Sequence, residues 1–188
     1  MLILASKSPR RKEILEKAGF SFTILETNAD ETADESLPVY DQAVGIARCK
    51  ALSAMDICKK DNTENVTIIA ADTIVHIKGK ILTKPVNKED AFNMLKILEN
   101  KSHEVYTGLC VAFIKNGSVS YKENYCRTEV IFKPLTDRQI TNYINTPEPY
   151  DKAGAYAIQG AAAAFIESIN GDYDNVVGLP LSMLLEML

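Results

Sequence analysis

The residue that points most clearly to chemistry is Asp72, which interrupts the apolar stretch 67–75 (TIIAADTIV). A stretch of this length with β-branched residues and neither Gly nor Pro predicts a strand covered on both faces, near the centre of a sheet. An ionised carboxylate there must be hydrogen-bonded, paired or metal-bound, because leaving it alone in an apolar interior is very costly. Asp72 is therefore a candidate reactive group. The alternative is an aspartate just past the buried part of the strand that caps a turn.

A second candidate is a phosphate-binding turn near the start of the chain. Residues 2–5 predict a short buried strand, Ser6 lies in the turn that follows, and Ser8-Pro9 predicts the start of a helix. Arg10 and Arg11 fall on the first turn of that helix, where the macrodipole disfavours cations. Two arginines are explained there if an anion lies between them and the amides of the first turn, so the pattern is typical of phosphate binding. The alternative is a solvated basic helix start.

Further charged residues could join this chemistry. A helix predicted from Val39 to about Lys60 has a stripe of small residues, and Lys50 falls inside that stripe. Lys50 either extends its ammonium group to the surface or points it into a cleft, and the sequence leaves both open. The acidic loop 30–35 (DETADE) is either solvated or supplies a carboxylate that shares a divalent metal with Asp72.

Alternating strands and helices must position these residues. Beyond the elements already named, the pattern predicts strands over 20–25, 67–77, 80–82, 103–114 and 119–132, and an alanine-rich strand that residues 157–160 lead into and that ends at Ile169. It predicts further helices after the caps Asn87 and Thr136 and after Pro180. Asn116-Gly117 indicates a hairpin. Strands alternating with helices, with one clear hairpin, predict an α/β domain with a mixed sheet.

Composition bounds the class of protein. A chain of 188 residues with 46% hydrophobic and 24% charged residues is expected to form one domain, with two lobes around one cleft. The net charge of −4 argues against a protein that mainly coats nucleic acid. The four cysteines have no spacing typical of disulfides or of metal ligands with His76 or His103, so we expect reduced thiols, a structural His103 and a cytoplasmic protein. No leader, membrane span, phosphate-binding Walker loop or GxSxG motif is recognised.

Several longer segments, in this order along the chain, carry a resemblance to a known family: 4–11 (LASKSPRR), 70–75 (AADTIV), 84–85 (KP), 103–108 (HEVYTG), 148–160 (EPYDKAGAYAIQG) and 171–180 (GDYDNVVGLP). Nearly end to end, the chain resembles the Maf family of nucleoside-triphosphate pyrophosphatases, named for an effect on septum formation. Many members have an arginine followed by glycine after the segment that ends at Gly160, whereas this chain continues with Ala161 to Ala164. The resemblance therefore supplies no role for that arginine here.

The resemblance implies an activity and a fold. The family hydrolyses nucleotides to the monophosphate and pyrophosphate with a divalent metal, for which Mg, Mn and Co are the candidates. Its fold is an elongated α/β structure with a central mixed sheet flanked by helices and a deep cleft, similar to that of inosine-triphosphate pyrophosphatases. Members often form dimers, which makes a homodimer possible for this chain. The branch that acts on dTTP and UTP, in nucleotide house-cleaning, matches best.

The resemblance also implies roles for individual residues. Asp72 matches the catalytic aspartate, and Glu31 matches an acidic position that shares the metal with it. The positions expected to bind the substrate are Ser6, Arg10, Arg11, Lys50 and Lys84. The positions expected to choose the base are Arg11, Thr73 and Gln159.

From these residues we expect cleavage between the α and β phosphates of dTTP, UTP and modified uridine nucleotides. Asp72 would orient or deprotonate the attacking water, or hold the metal that does so, and the sequence leaves these roles open. The amide of Gln159 can pair with N3–H and a carbonyl of uracil or thymine; alternatively it bonds the backbone while cleft width selects the base. The competing function is a non-enzymatic nucleotide-binding regulator of cell division or septum formation. A single-stranded nucleic-acid binder is disfavoured by the acidic total and the absence of Trp.

Overall fold

The computed structural model describes residues 1–61, 63 and 65–188 of the chain. Over these residues the strands are β1 Leu2–Leu4, β2 Thr23–Ile24, β3 Val66–Ile77, β4 Lys80–Leu82, β5 Ser102–Lys115, β6 Ser118–Phe132 and β7 Ile166–Asn170. The α-helices are α1 Pro9–Lys17, α2 Val39–Lys60, α3 Lys88–Leu98, α4 Asp137–Ile144, α5 Tyr173–Val177 and α6 Leu181–Met187. Three short 3₁₀ helices cover Glu148–Asp151, Ala153–Ala155 and Ala161–Phe165.

The seven strands form one mixed sheet in the order β2-β1-β3-β5-β6-β7, with β4 paired to β3 outside this path. β1 runs parallel to both β2 and β3, with Ile3 opposite Thr23 on one side and Ile68 on the other. β4 runs antiparallel to β3, and β7 runs antiparallel to β6. The predicted α/β fold with a mixed sheet is therefore confirmed, and β3 with its Asp72 is an inner strand of that sheet.

The chain divides into two compact units, each with its own core. The first unit comprises Met1–Asp72, Thr107–Cys126 and Gly178–Leu188, and the second comprises Thr73–Tyr106 and Arg127–Val177. The prediction of two lobes around one cleft stays a prediction. No helix among the described residues is long and apolar enough to cross a membrane.

In the first unit, helix α2 packs a stripe of small side chains against the sheet. Its predicted bounds, Val39 to Lys60, are confirmed, and Ala47, Ala51 and Ala54 are fully buried together with Ile68 and Ala70 of β3. β5 contributes Gly108, where a Cβ would lie 2.3 Å from the carbonyl carbon of Ala43 and 2.4 Å from the amide nitrogen of Val44. Glycine is therefore required for the backbone of α2 to lie this close to β5.

In the second unit, the caps that the sequence predicts are present. Asn87 accepts a hydrogen bond from the Asp90 amide at 2.8 Å, and Thr136 and Gln139 form a reciprocal capping box at the start of α4. His103 is buried, with its Nε2 atom 2.7 Å from the Tyr156 hydroxyl and its ring edge-on to Phe132. The prediction that His103 is structural is consistent with this aromatic setting, and burial lowers its pKa to about 4.

Two predicted strands are wrong in extent. The predicted strand 20–25 shrinks to Thr23–Ile24, since residues 20–22 follow the left-handed Gly19 and join no ladder at this edge of the sheet. The alanine-rich strand predicted to end at Ile169 is instead the 3₁₀ helix Ala161–Phe165 followed by the shorter β7. Alanine has little preference for a strand, and the first amides of this helix bond to a side chain from elsewhere in the chain.

Candidate functional site

Asp72 lies within β3 and not at its end, so the turn-capping alternative is wrong. Its side chain is only 16% exposed, and its Oδ1 atom accepts a hydrogen bond from the Nζ atom of Lys50 at 2.7 Å. A carboxylate in this position needs such a partner, because the flanking residues of the strand are apolar. The partner that the sequence predicts for this aspartate is therefore present, and it is a lysine of α2.

Lys50 is the second member of the site, and its ammonium group is directed inward. Its side chain is 10% exposed, and besides Asp72 it forms an ion pair with Oε1 of Glu31 at 3.3 Å. The alternative in which Lys50 extends along an apolar face to the surface is therefore wrong. One buried ammonium group holds two carboxylates that are far apart in sequence.

Glu31 is distinguished from its acidic neighbours by where its side chain points. Asp30 accepts a hydrogen bond from the Thr32 amide at 2.9 Å, and Asp34 accepts from the amide and hydroxyl of Ser36. These hydrogen bonds lower the pKa of both aspartates and tie them to their own loop. Glu31 instead reaches Lys50, although its side chain is 63% exposed.

Arg11, on the first turn of α1, is held by hydrogen bonds from both its backbone amide and its guanidinium. The Ser8 hydroxyl caps the helix by accepting from the Arg11 amide, as the sequence predicts. The buried guanidinium donates from Nε to the carbonyl of Gly178 at 2.7 Å and from Nη1 to the Ser6 hydroxyl at 3.1 Å. A solvated basic helix start is therefore wrong for Arg11.

The electrostatics of Arg11 tie it to the carboxylates. Burial lowers the pKa of the Arg11 guanidinium, the charge of Arg10 lowers it further, and the charges of Asp72 and Glu31 raise it. An arginine stays protonated in a protein, so the guanidinium retains its positive charge.

We call Arg10, Arg11, Glu31, Lys50 and Asp72 the charged group. With three cations and two carboxylates it is formally positive, and it includes the amide-rich start of α1. Such a group suits a ligand with several negative charges.

The other three predicted site residues belong to the second unit. Thr73 follows Asp72 in β3 and is half-buried, and Lys84 is exposed in the segment after β4. Gln159 is half-buried next to Gly160. Close to Lys84, the amide of Gly154 donates to the carbonyl of Thr83 at 3.0 Å, which joins the segment 148–160 to the segment that carries this lysine.

Sequence reasoning did not identify three residues that support the site. Gly178 contributes only its carbonyl, and a backbone acceptor has no sequence signal. Gly108 sets the position of α2 and therefore of Lys50; a glycine inside a predicted strand is a signal of close backbone approach that could have found it. Glu148 contacts the segment after Gln159 through long-range hydrogen bonds, which no local pattern announces.

Asp72 and Glu31 are the residues of the charged group that offer oxygen donors for a divalent cation. Among the described residues, no group of three or more His, Cys, Asp or Glu side chains is arranged to hold a metal ion. Asp72 and Glu31 supply carboxylate oxygens that reach one ammonium group, and oxygen donors suit Mg²⁺ or Mn²⁺. Mg²⁺ is commonly held by one or two carboxylates, with water and substrate phosphates as its other ligands.

Comparison with known proteins gives matches over the whole chain. The relative from Bdellovibrio bacteriovorus is 44% identical over 188 residues, which cover 100% of this chain and 96% of the relative. The relative from Caldanaerobacter subterraneus is 46% identical over 187 residues, covering 100% and 87%. One from Clostridium perfringens is 47% identical over 188 residues, covering 100% and 95%. All three relatives are named dTTP/UTP pyrophosphatase.

A solved structure of the Staphylococcus aureus Ham1 protein matches with a TM-score of 0.48 and 13% identity, covering 98% of this chain and 97% of that one. That likeness is too low to decide the fold. The family model described as Maf-like protein matches residues 1–188. Together with full-length relatives at 44–47% identity, this match shows that the chain belongs to the Maf family.

Proposed function

We propose that this protein is a nucleoside-triphosphate pyrophosphatase that hydrolyses dTTP and UTP to the monophosphate and pyrophosphate. The observation that carries the proposal is the Lys50 ammonium held between Asp72 and Glu31, in the unit that also fixes Arg11 at the start of α1. Cations for phosphate and carboxylates for metal and water are thereby combined in one place. The names of the full-length relatives support this activity and this base preference.

Phosphate binding falls to the cations. Arg11 is held by Ser6 and by the Gly178 carbonyl, so its guanidinium keeps one orientation and loses little freedom when a phosphate binds. Arg10 on the same helical turn and the exposed Lys84 add positive charge. Groups placed in advance where negative charge develops stabilise the transition state more than groups that must reorganise.

Asp72 is the group that orients or deprotonates the attacking water. Its carboxylate orients the water toward the α-phosphorus or takes its proton, and the bond from that phosphorus to the bridging oxygen breaks as pyrophosphate leaves. Lys50 holds the carboxylate in position through the 2.7 Å hydrogen bond. Because Asp72 is 16% exposed, it is buried enough to be oriented and still open enough to meet water.

A divalent metal cation completes the proposal. Asp72 and Glu31 would hold it, and when bound it would neutralise charge on the phosphates that the charged group alone leaves unbalanced. Glu31 has the exposure that this role needs, because a side chain 63% exposed can meet a metal that arrives with the nucleotide. Lys50 keeps three N–H donors, which suit either the carboxylates or phosphate oxygens.

Base choice falls to Gln159, with Arg11 and Thr73. Uracil and thymine present an N3–H donor between two carbonyl acceptors, and a glutamine amide offers one acceptor and one donor. An amide can flip to suit cytosine, so a second group must bias it; Arg11 can only donate and favours the edge richer in acceptors. Mismatching one such partner costs roughly 1–3 kcal/mol, which corresponds to about ten- to hundredfold discrimination.

A pyrophosphate-release assay with a nucleotide panel tests the proposal. We expect turnover of dTTP and UTP with Mg²⁺, Mn²⁺ or Co²⁺, ahead of CTP, ATP and GTP. Gln159→Ala should lower the UTP:CTP ratio of kcat/KM while Asn93→Ala, an exposed amide side chain of the same unit, leaves it unchanged. A preference for purines would contradict the base assignment. Nucleotide binding without release of pyrophosphate from any nucleotide would favour the non-enzymatic regulator instead.

A further inference from the structure

The segment that follows Gln159 is held by a carboxylate from an earlier turn. Glu148 accepts a hydrogen bond from the Ala161 amide at 3.0 Å through Oε2 and from the Ala162 amide at 3.3 Å through Oε1. These are the first amides of the 3₁₀ helix Ala161–Phe165, which has no side-chain cap of its own. A carboxylate that accepts from two backbone amides makes charge-assisted hydrogen bonds, which are stronger than neutral ones.

Gly160 lets the backbone wrap around this carboxylate. Its φ of 120° and ψ of −157° lie in a region that is essentially open only to glycine. A Cβ on this residue would lie 2.7 Å from Oε2 and 2.8 Å from Oε1 of Glu148. The backbone conformation therefore requires glycine directly after Gln159, and a side chain there would also push the Glu148 carboxylate away from the amides it accepts from.

Glu148 is itself held in place. The Tyr143 hydroxyl donates to Oε1 at 3.1 Å, and the Lys152 ammonium donates to the Glu148 backbone carbonyl at 2.7 Å. Tyr143 is buried, and its burial together with the Glu148 charge raises the pKa of its phenol, so it remains a donor. The carboxylate is thus a fixed point on which the segment 160–162 rests. We call Glu148, Gly160 and the amides of Ala161 and Ala162 the glutamate clamp.

We propose that Glu148 is a positioning residue for Gln159. Through the glutamate clamp, Glu148 holds Gln159 in the orientation that gives the enzyme its base preference. This inference rests on the proposed readout of the base by Gln159. Gln159 lies between the buried Ile158 and the clamped Gly160, so the direction of its side chain depends on both neighbours. If the clamp is lost, Gln159 can still reach a base edge, but it no longer meets that edge in one orientation.

The test measures discrimination and not only turnover. In Glu148→Gln and Glu148→Ala we expect the UTP:CTP ratio of kcat/KM to fall roughly three- to tenfold, with the larger fall for alanine. Glu167→Gln, an exposed glutamate of the same unit, should leave the ratio within about twofold of wild type. Glutamine keeps the size of Glu148 and one acceptor, so that variant remains informative if the alanine variant does not fold.

A double-mutant cycle separates positioning from a general loss of structure. Because the clamp acts through Gln159, adding Glu148→Ala to Gln159→Ala should lower the ratio no further. A further multiplicative fall, or an unchanged ratio in both Glu148 variants while Gln159→Ala lowers it, would overturn the positioning role and leave the readout by Gln159 intact. An unchanged ratio in Gln159→Ala would overturn the readout itself, and the positioning role with it.

Amide hydrogen exchange tests the clamp without any nucleotide. Glu148→Ala should speed the exchange of the Ala161 and Ala162 amides relative to those of β7. Unchanged protection of both amides would overturn the clamp. This measurement does not depend on the activity, so a failure of the clamp can be told from a failure of the proposed function.

Discussion

The charged group and the glutamate clamp use carboxylates in opposite ways. In the charged group, Asp72 and Glu31 share the ammonium of Lys50, so each carboxylate is paired with the charge of another side chain. In the clamp, one carboxylate is satisfied by backbone amides and a tyrosine hydroxyl. Side-chain charges can be redistributed when a charged ligand binds, whereas a carboxylate on backbone amides fixes geometry. Substitutions in the first should change the rate, and substitutions in the second should change the selectivity.

The largest effect is expected at Asp72. Asp72→Asn keeps the shape of the side chain but removes the charge that orients or deprotonates water. We expect kcat for UTP to fall by about 10²- to 10⁴-fold, the contribution typical of a general base. Pyrophosphate release measures the rate, and Asp56→Asn, an exposed aspartate on α2, is the matched control. Near-normal turnover in Asp72→Asn would end its assignment as the catalytic residue.

The next effect is expected at Gly108, where β5 packs closely against α2. Gly108→Ala would place a methyl group 2.3–2.5 Å from backbone atoms of Ala43 and Val44. We expect a loss of roughly 2–4 kcal/mol in the free energy of unfolding, since backbone atoms cannot move aside as a flexible side chain can. The shift of α2 should also move Lys50 and lower kcat. Denaturant unfolding and pyrophosphate release measure the two effects.

Gly45 on α2 provides the control for Gly108. A Cβ on Gly45 meets no atom within 4 Å. Gly45→Ala should therefore stabilise the protein by roughly 0.5–1 kcal/mol, because alanine is preferred in a helix interior. A stable and fully active Gly108→Ala variant would show that α2 does not depend on this close approach.

A pH titration tests the buried histidine of the second unit. His103 has a folded-state pKa of about 4, below the ordinary value of 6.5, because burial disfavours its charged form. Its contribution to stability is therefore complete above pH 6.5 and is lost as the pH falls toward 4. The loss should reach roughly 3 kcal/mol over that interval. His103→Gln should flatten this part of the unfolding profile; equal slopes in both proteins would contradict a neutral buried His103.

The last loss of stability concerns the coupling of Lys50 to Asp72. Lys50→Met keeps most of the apolar stem of the side chain but leaves the mostly buried Asp72 without the ammonium group that pairs with it. We expect a loss of roughly 1–3 kcal/mol, less than for a fully buried pair because Asp72 is 16% exposed and can be partly solvated. In Lys50→Met/Asp72→Asn, part of that loss should be recovered. Purely additive losses in denaturant unfolding would mean that the two groups do not interact in solution.

Local signals in the sequence predicted the fold well where the structure is decided locally. The bounds of α2, the cap at Asn87, the capping box at Thr136 and the hairpin at Asn116-Gly117 follow from neighbours in the chain, and all are observed. The prediction of a strand in the alanine-rich segment is wrong for the opposite reason. Its backbone amides bond to a carboxylate thirteen residues away, and this contact outweighs a weak local preference.

The predictions for the site also succeed where they depend on local sequence and fall short where they depend on distant contacts. A carboxylate inside an apolar strand predicts that Asp72 has a partner, but the choice of Lys50 and the inclusion of Glu31 depend on packing between distant elements. The roles of Gly108 and Gly178 are also set by distant backbone. The metal, the homodimer and the cytoplasmic location stay predictions.

Product identification by phosphorus NMR tests the central claim most directly. The wild-type protein is incubated with UTP and a divalent metal, with Asp72→Asn as the parallel sample. Cleavage between the α and β phosphates predicts equal amounts of UMP and pyrophosphate, formed orders of magnitude more slowly in the Asp72→Asn sample. Formation of UDP and orthophosphate would mean that a different bond is cut and would contradict the assignment of this protein as a pyrophosphatase.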